Sequence, residues 1–518
     1  MTADERDIAR RLLAGTPALG GPRPRIDQTA RDREGDQASP VREEGNPPSS
    51  ETRTGRVEGN LPGTEVASAG RSGNTAWRQA NAPLRRVRAA RGPGRQFADH
   101  PGVVAALAKQ AAIQELVDLT GLPHPLFLSP DGPNGALIRS GGRELVNFSS
   151  YNYLELAQHP RVIAAANAAA ERYGTSASAT RIVTGEIPLY AELEERLAGV
   201  YQAGGALVTS SGFLTNAAVI GFLLSEGDVA VCDSLAHASL IAGAQWSGCR
   251  RVAFRHNDPT ALQALLRASR HQFDRALVII EGHYSMDGDL GRIAELATVA
   301  KQYDCAVLVD EAHALGVLGP NGLGSLEHFG LPGDLVDIWA GSLSKAMGST
   351  GGFIAGDADL VRAIKYAAPG MALYTAGPSP SNVAAVLAGL DVLADEPERL
   401  ARLWSNAELF STALRERGMN LADSQATPIV PVIVPGEVRA GYAAAAMLQR
   451  GFNAGAILAP VIPAGTERLR FFLTSEHTER QLLDTVDNLA EVLEMADQIP
   501  DWSIDSGLPV PPGDPDRR

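Results

Sequence analysis

The sequence predicts an α/β protein: a large domain on a mostly parallel sheet with helices on both faces, followed by a smaller C-terminal α+β domain. Three observations predict it. From Leu145 onward, short apolar runs alternate with Ala-rich helical stretches, the pattern of strands joined by helical crossovers. The chain has 518 residues, more than the roughly 250–300 that one hydrophobic core serves, so two folded parts plus tails are expected. Residues able to do chemistry follow directly on the apolar runs, where ligands bind in such sheets.

Residues 1–96 open the chain, and from Thr16 to Gln96 they are rich in Gly, Pro, Arg, Ser and Glu and almost empty of large apolar side chains. Such a segment cannot bury enough surface to offset the entropy of ordering, so a disordered extension is expected. Within it, residues 6–14 could form one short amphipathic helix, but a helix that short is marginal alone and reads as a fraying terminal turn. Arg85, Arg86, Arg88, Arg91 and Arg95 are interleaved with Ala, Gly and Pro and lack aromatic neighbours, the composition of a solvated linker rather than of a nucleic-acid surface.

Order is expected from Phe97. Apolar residues at helical spacing from Val103 to Val117, stopped by Gly121 and Pro123, make residues 97–145 an N-terminal arm. The large domain spans 146–395, with strands at 205–209, 229–232, 251–254, 276–280 and 306–309 and a further apolar run at 335–340. Residues 396–500 are helix-rich and carry two more apolar runs, 429–434 and 468–473, which form the smaller domain; 501–518 is a Pro- and Asp-rich tail.

Lys+Arg number 46 against 60 Asp+Glu, a formal charge of −14 that argues against a general binder of nucleic acid or anionic membrane. Cys232, Cys249 and Cys305 form no metal-type spacing, and their odd number suits a reducing compartment. The N-terminus lacks an apolar signal stretch, and no run approaches the ~18 apolar residues of a membrane span. A cytoplasmic protein is expected.

The chemistry gathers around two motifs. Asp310-Glu311-Ala312-His313 ends one apolar run, and Ser342-Leu343-Ser344-Lys345 follows another. Together they would hold pyridoxal phosphate (PLP), with an aspartate for the pyridine nitrogen, a histidine beside the ring oxygen and a lysine for the Schiff base. A phosphate needs backbone N–H groups at a helix start, which the turn Thr209-Ser210-Ser211-Gly212-Phe213 offers after its own strand. His237, after the next strand, could stack on the ring. Taken singly, each has a plainer reading: Asp310 as a helix cap, His237 as a loop histidine, Lys345 as one more solvated lysine. Their occurrence in order, each behind its own strand, selects the cofactor reading.

The chain resembles the α-oxoamine synthases, PLP enzymes of fold type I that include 5-aminolevulinate synthase, 8-amino-7-oxononanoate synthase and serine palmitoyltransferase. The resemblance runs from about Val146 to Val492 and rests on ordered motifs: Asn147-Phe148-Ser149-Ser150-Tyr151-Asn152-Tyr153-Leu154, Ser211-Gly212-Phe213, His237-Ala238-Ser239, Arg255-His256-Asn257-Asp258, the stretch from Glu281 to Asp289, Asp310 to His313, and Pro463 to Arg470. It implies that Lys345 is the Schiff-base lysine and acid/base, that Asp310 pairs with the pyridinium and His313 bonds the ring hydroxyl, and that His237 stacks on the ring and polarises the thioester carbonyl. Gly212, Phe213, Ser285 and Ser342 would hold cofactor and phosphate, Thr375 would reach over from a second subunit, and Arg470 would clamp the substrate carboxylate, with Thr474 also on the substrate side. The implied activity is that of a PLP-dependent acyltransferase. A small amino acid condenses with an acyl thioester, carried by coenzyme A or an acyl carrier protein, to give an α-aminoketone, carbon dioxide and free thiol in a homodimer with shared active sites.

The departures concern substrate. Tyr151 stands where aminolevulinate and aminooxononanoate synthases have Asn and looks like serine palmitoyltransferase, Glu155 replaces a customary glycine, and Thr180-Arg181 resembles aminolevulinate synthase, leaning towards glycine or another small amino acid. No partner for a charged acyl tail stands out, which favours a neutral acyl group. Two rivals share parts of the pattern: a fold-type-I aminotransferase shares Asp310 and Lys345, and a non-catalytic partner subunit would lack the lysine.

Overall fold

The computed structural model describes residues 97–459 and 461–499. The expected N-terminal extension, its short helix and arginine run, and the tail at 501–518 lie outside the described residues. A turn at residues 97–100 leads into the helix Pro101–Thr120, which contains the helix expected around 103–117. From Lys109 onward the described residues form one compact unit.

Strands β1 (Leu137–Ser140) and β2 (Arg143–Asn147) form an antiparallel hairpin through Gly141 and Gly142, whose φ angles are 58° and 74°. A two-residue turn between twisted strands needs positive φ at both positions, which glycine adopts without strain.

The main sheet has seven strands: β3 (Gly205–Thr209), β4 (Val229–Asp233), β5 (Arg250–Phe254), β6 (Ala276–Glu281), β7 (Ala306–Asp310), β8 (Ile338–Ser342) and β9 (Gly352–Gly356), in the order β3-β9-β8-β7-β6-β4-β5. β8, β7, β6, β4 and β5 run parallel, and β9 is antiparallel to both its neighbours. The mostly parallel sheet is therefore as expected, with one reversed strand that the pattern did not announce. The segment of β9, Gly-Gly-Phe-Ile-Ala-Gly, looks like a turn because it has so little side chain. It is glycine-rich because a helix packs hard against it: a Cβ on Gly352 would lie 2.5 Å from Thr215 Oγ1 and 2.7 Å from Gly212 Cα.

Alternation along the strands fills both faces. Leu277 and Ile279 of β6 and Leu308 of β7 join one apolar cluster with Val219, Ile220 and Leu240 from the helices Gly212–Leu223 and Ala238–Ser247. Val278, Ile280, Val307 and Val309 face the other way, into a larger core with Leu193, Leu296, Trp339 and Phe353. Strands buried on both faces read as continuous apolar runs, which is why they were legible.

The apolar run at 335–340 becomes a strand only from Ile338, because Asp337 is spent as an anchor: its Oδ2 accepts from Lys301 Nζ and from the Val307 N–H, both at 2.6 Å. Near the C-terminus, β10 (Ile429–Ile433), β13 (Arg468–Phe472) and β12 (Gly455–Ile457) form an antiparallel sheet, while β11 (Phe452–Asn453) pairs parallel with β2. The larger core runs unbroken from Phe148 to Val492. Among the described residues no helix is long and apolar enough to cross a membrane.

Candidate active site

Five strands of the main sheet deliver functional groups to one rim, where a cavity of about 250 Å³ opens. β3 leads through Ser211 into the helix Gly212–Leu223, β4 leads to His237, β6 ends in Glu281, β7 ends in Asp310 and β8 leads through Ser342 to Lys345. The crevice at the carboxyl end of a parallel sheet is where such groups converge.

One wall is made of hydrogen-bond donors. Ser211 caps its helix, its Oγ accepting from the Leu214 N–H at 3.5 Å, and the first-turn N–H groups of Gly212 and Phe213 face the cavity end of the helix dipole. Ser342 and Ser344, their hydroxyls 2.7 Å apart, and Thr350 stand in the same lining. Gly212 has no room for a side chain, since a Cβ would come within 2.8 Å of Ser342 Cβ. Helix N-terminus plus hydroxyls is the donor set a phosphate dianion needs.

The floor is a pair of buried carboxylates, Glu281 and Asp310, register neighbours across β6 and β7. Asp310 is held at both oxygens: Asn216 Nδ2 donates to Oδ2 at 2.7 Å and the Ala312 N–H to Oδ1 at 2.9 Å. Glu281 Oε1 accepts from the His237 N–H at 2.7 Å, and burial, with Asp310 beside it, holds the Glu281 carboxyl well above the usual carboxylate range.

Lys345 Nζ makes no hydrogen bond or ion pair among the described residues, and burial lowers its pKa from the ordinary lysine value, with Arg470 adding to the effect and Asp310 and Glu281 opposing it. A neutral amine is thereby made accessible. The pKa of His237 is lowered as well: desolvation of its ring against the cavity wall leads, although the residue as a whole is exposed, and Lys345 and Arg470 reinforce it while Asp310 opposes it. His313 is held far below the usual histidine range by burial and then by Lys345; its Nδ1 lies 2.8 Å from the Tyr153 hydroxyl and its ring stacks on Phe472 with centroids 6.1 Å apart.

Arg470 of β13 lies over the ring of Phe472 at 4.6 Å, and its Nη1 donates to the Ser285 carbonyl at 2.9 Å. Its Nε and Nη2 make no hydrogen bond among the described residues, so an edge able to grip a carboxylate is free. Arg468, two residues earlier, is tied to Asp287 and donates to the Met286 carbonyl at 3.1 Å, fixing the loop that carries Ser285. Tyr151 stands at the edge, 43% exposed, its ring 4.9 Å from Phe472 and perpendicular to it.

Of the residues expected from the sequence, Gly212, Phe213, His237, Asp310, His313, Ser342 and Lys345 line the cavity. Ser285, Tyr151 and Arg470 stand outside the lining; Arg470 is close enough for its charge to act on Lys345, His237 and His313. Three others lie elsewhere in the single chain. Thr180 bridges Ala376, Thr375 donates to the Ala376 carbonyl at 3.2 Å, and Thr474 is fully buried, its N–H donating to His477 Nδ1 at 2.9 Å. Arg181 is buried too, paired with Glu186 at 2.7 Å and Glu194 at 2.6 Å over the ring of Tyr190, which makes it a structural cation. Glu155, in place of the customary glycine, keeps the left-handed backbone a glycine would adopt (φ 56°) and spends its carboxylate on the Ala136 N–H at 2.6 Å; burial raises its pKa to about 7.

Sequence reading missed Asn216, Ser239, Glu281 and Tyr153 as site residues. Asn216 lies one helical turn beyond Gly212, so helix spacing sets it on the face that carries the Ser-Gly turn, and the neighbouring strand β7 brings Asp310 to it. Nothing in the spacing announces Ser239 or Tyr153 as partners of His237 and His313.

The residues present fit PLP. A donor wall suited to phosphate, an acceptor carboxylate for a ring nitrogen, a half-buried amine with no partner among the described residues and a histidine flank share one cavity.

Residues 143–489 match the family Aminotransferase class I and II. A putative 8-amino-7-oxononanoate synthase of Desulforudis audaxviator is 41% identical over 381 residues, covering 73% of this chain and 97% of the relative. The 8-amino-7-oxononanoate synthase 1 of Bacillus subtilis is 36% identical over 364 residues, covering 70% of this chain and 92% of the relative. Among solved structures, a lysine-to-alanine variant of a serine palmitoyltransferase from S. paucimobilis, with a bound PLP–myriocin aldimine, is 30% identical and superposes with a TM-score of 0.72, covering 78% of this chain and all of the other.

Proposed function

The chain belongs to the α-oxoamine synthase family of PLP-dependent enzymes, and from that membership we propose that its cavity condenses a small amino acid with an acyl thioester, releasing carbon dioxide and the thiol and leaving an α-aminoketone. The observation that carries the reading is Lys345, a half-buried amine with no partner among the described residues, close enough to Asp310 and Arg470 for their charges to act on it. Bound PLP supplies an aldehyde that takes the amino group and a protonated ring that disperses the charge left when the Cα proton departs.

The chain's own residues do the rest. Asp310, oriented by Asn216 and the Ala312 N–H, keeps the ring nitrogen protonated. Arg470 grips the α-carboxylate through Nε and Nη2 while its third nitrogen stays on Ser285. Lys345, lowered by burial, receives the Cα proton at Nζ. His237 covers the ring and donates a hydrogen bond to the acyl oxygen, where negative charge develops as the carbon–carbon bond forms. His313, kept neutral and fixed by Tyr153, bonds the ring hydroxyl.

For the amino acid we propose alanine. The relatives' name describes a nine-carbon chain with the amino group on carbon 8, which decarboxylative condensation builds from alanine and a seven-carbon acyl thioester bearing a terminal carboxylate. For the acyl half we propose a neutral chain, and the donor is acyl-coenzyme A or an acyl carrier protein. Two copies sharing their sites account for Thr180 and Thr375 lying away from the cavity of one chain; Val183, Trp246, Tyr366 and Tyr374 are exposed apolar side chains for such a contact. Residues 146–395 serve as the PLP-binding domain and 396–500 as the smaller domain, in a cytoplasmic enzyme.

The test is thiol release by PLP-loaded protein with alanine, glycine or serine, against neutral and ω-carboxylated acyl-coenzyme A esters. Thiol and carbon dioxide released one for one with alanine support the reading, and the preferred ester settles the acyl half. Keto-acid formation from the amino acid without thiol release would make it an aminotransferase instead.

A further inference from the structure

His237 and Asp310 flank the same cavity from different strands, and the structure joins them through the side chains of Asn216 and Ser239. Asn216 Nδ2 donates to Asp310 Oδ2 at 2.7 Å and to Ser239 Oγ at 3.0 Å, and Ser239 Oγ lies 2.7 Å from His237 Nδ1. We propose that Asn216 and Ser239 are positioning residues that fix His237 as its Nε2–H tautomer, so that it meets the substrate as a neutral hydrogen-bond donor.

The assignment follows from counting hydrogens. An amide nitrogen has two to give and a carboxylate can only accept, so the Nδ2 side of Asn216 faces Asp310, and its second hydrogen goes to Ser239. Having accepted there, the Ser239 hydroxyl has one hydrogen left, and its one other neighbour within bonding distance among the described residues is His237 Nδ1. The Ser239 backbone N–H is directed at the same atom, at 3.3 Å. Two donors converge on Nδ1, which must present a lone pair. The hydrogen of the neutral ring therefore sits on Nε2, which makes no hydrogen bond among the described residues. Asn216 and Ser239 are both buried, so water does not easily substitute for either link, and Asn216 Oδ1 is left buried without a partner. A fold keeps such an orphan where the amide's donors are what it needs.

Protonating Nδ1 would set its hydrogen against the Ser239 N–H and force the hydroxyl to turn. The charged groups facing His237 are Lys345 and Arg470, which also oppose a second proton, and Asp310, which favours it; Glu281 holds the backbone N–H. The chain thus supplies an N–H donor and withholds an imidazolium. This deepens the proposed function, on which the role of the Nε2–H towards the acyl oxygen rests; the tautomer itself does not depend on it.

The measurement is nitrogen NMR of the PLP-loaded full chain labelled with 15N-histidine, His237 being assigned from the resonances missing in His237→Gln. At neutral pH the expected spectrum has a pyridine-type Nδ1 and a pyrrole-type Nε2. A pyrrole-type Nδ1 or an imidazolium would overturn the proposal, and this readout needs no variant of Ser239 or Asn216 to fold. In Ser239→Ala, the Nδ1–H form should appear and the acidic limb of kcat/KM should move up by about one pH unit, while KM for the amino acid changes less than twofold. An unmoved limb with an unchanged tautomer would also sink it. A chain that shows the Nε2–H tautomer yet releases no thiol would refute the function and leave the tautomer assignment standing.

Discussion

The two sides of the cavity are built on opposite plans. On the cofactor side the groups around Asp310 are committed: both oxygens of Asp310, the side-chain nitrogen of Asn216, the hydroxyl of Ser239 and the backbone N–H of His237 have named partners within 3.0 Å. On the substrate side, Arg470 keeps an open edge and Tyr151 is 43% exposed. Groups that must hold one cofactor in one pose can be fixed in advance, and fixing them lowers the reorganisation needed at the moment of reaction. Groups that meet two successive substrates must stay available.

The comparison can be broken hardest at Lys345. Lys345→Ala should lower thiol release by about a thousandfold or more while the committed wall still binds PLP, measured as cofactor retained after gel filtration. Equal loss of binding and turnover would mean that the wall does not act independently of the lysine. On the open side, Arg470→Lys keeps the charge and loses the forked edge; KM for the amino acid should rise on the order of tenfold to a hundredfold with a smaller fall in kcat.

Away from both walls, His256 bridges Asp233 at 2.8 Å and Asp289 at 3.0 Å, tying the His237 loop to the loop before Arg292. Burial opposes its charge, yet the two carboxylates raise its pKa to about 10, from 6.5. A raised histidine contributes stability that is whole below about pH 6.5 and lost as pH climbs through about 10. Thermal melts of His256→Gln should therefore fall furthest below the parent near pH 6 and converge with it above pH 10. The smallest effect is expected at Glu155, whose carboxyl is raised by burial to about 7 from 4.5, so that the parent loses stability between those values and Glu155→Gln should not. Melting curves that keep the same pH slope in both proteins would show that Glu155 is not the group responsible.

The cofactor side was far more legible in the sequence than the substrate side. Asp310, His237 and Lys345 each follow a strand buried on both faces, so apolar runs alone put them on one rim. Strand β9 escaped because close packing had removed the side chains that would have signalled it. Thr180-Arg181 looked like a substrate contact, but arginine is equally suited to bridging Glu186 and Glu194 in the core, and sequence spacing does not distinguish the two uses. The motif His237-Ala238-Ser239 does not announce what Ser239 does, because its contact depends on Asn216 reaching it from another helix.

The short strand β11 has a consequence for the making of the molecule. It completes the sheet of the β1–β2 hairpin, and Asn453 donates to Asn147, a partner 306 residues earlier. During synthesis the hairpin therefore emerges with its outer edge unpaired and waits for most of the chain before its neighbour exists. Closing so long a loop is slow, and an open strand edge invites wrong partners in the interval. The hairpin is among the first of the described strands to leave the ribosome and among the last to be finished.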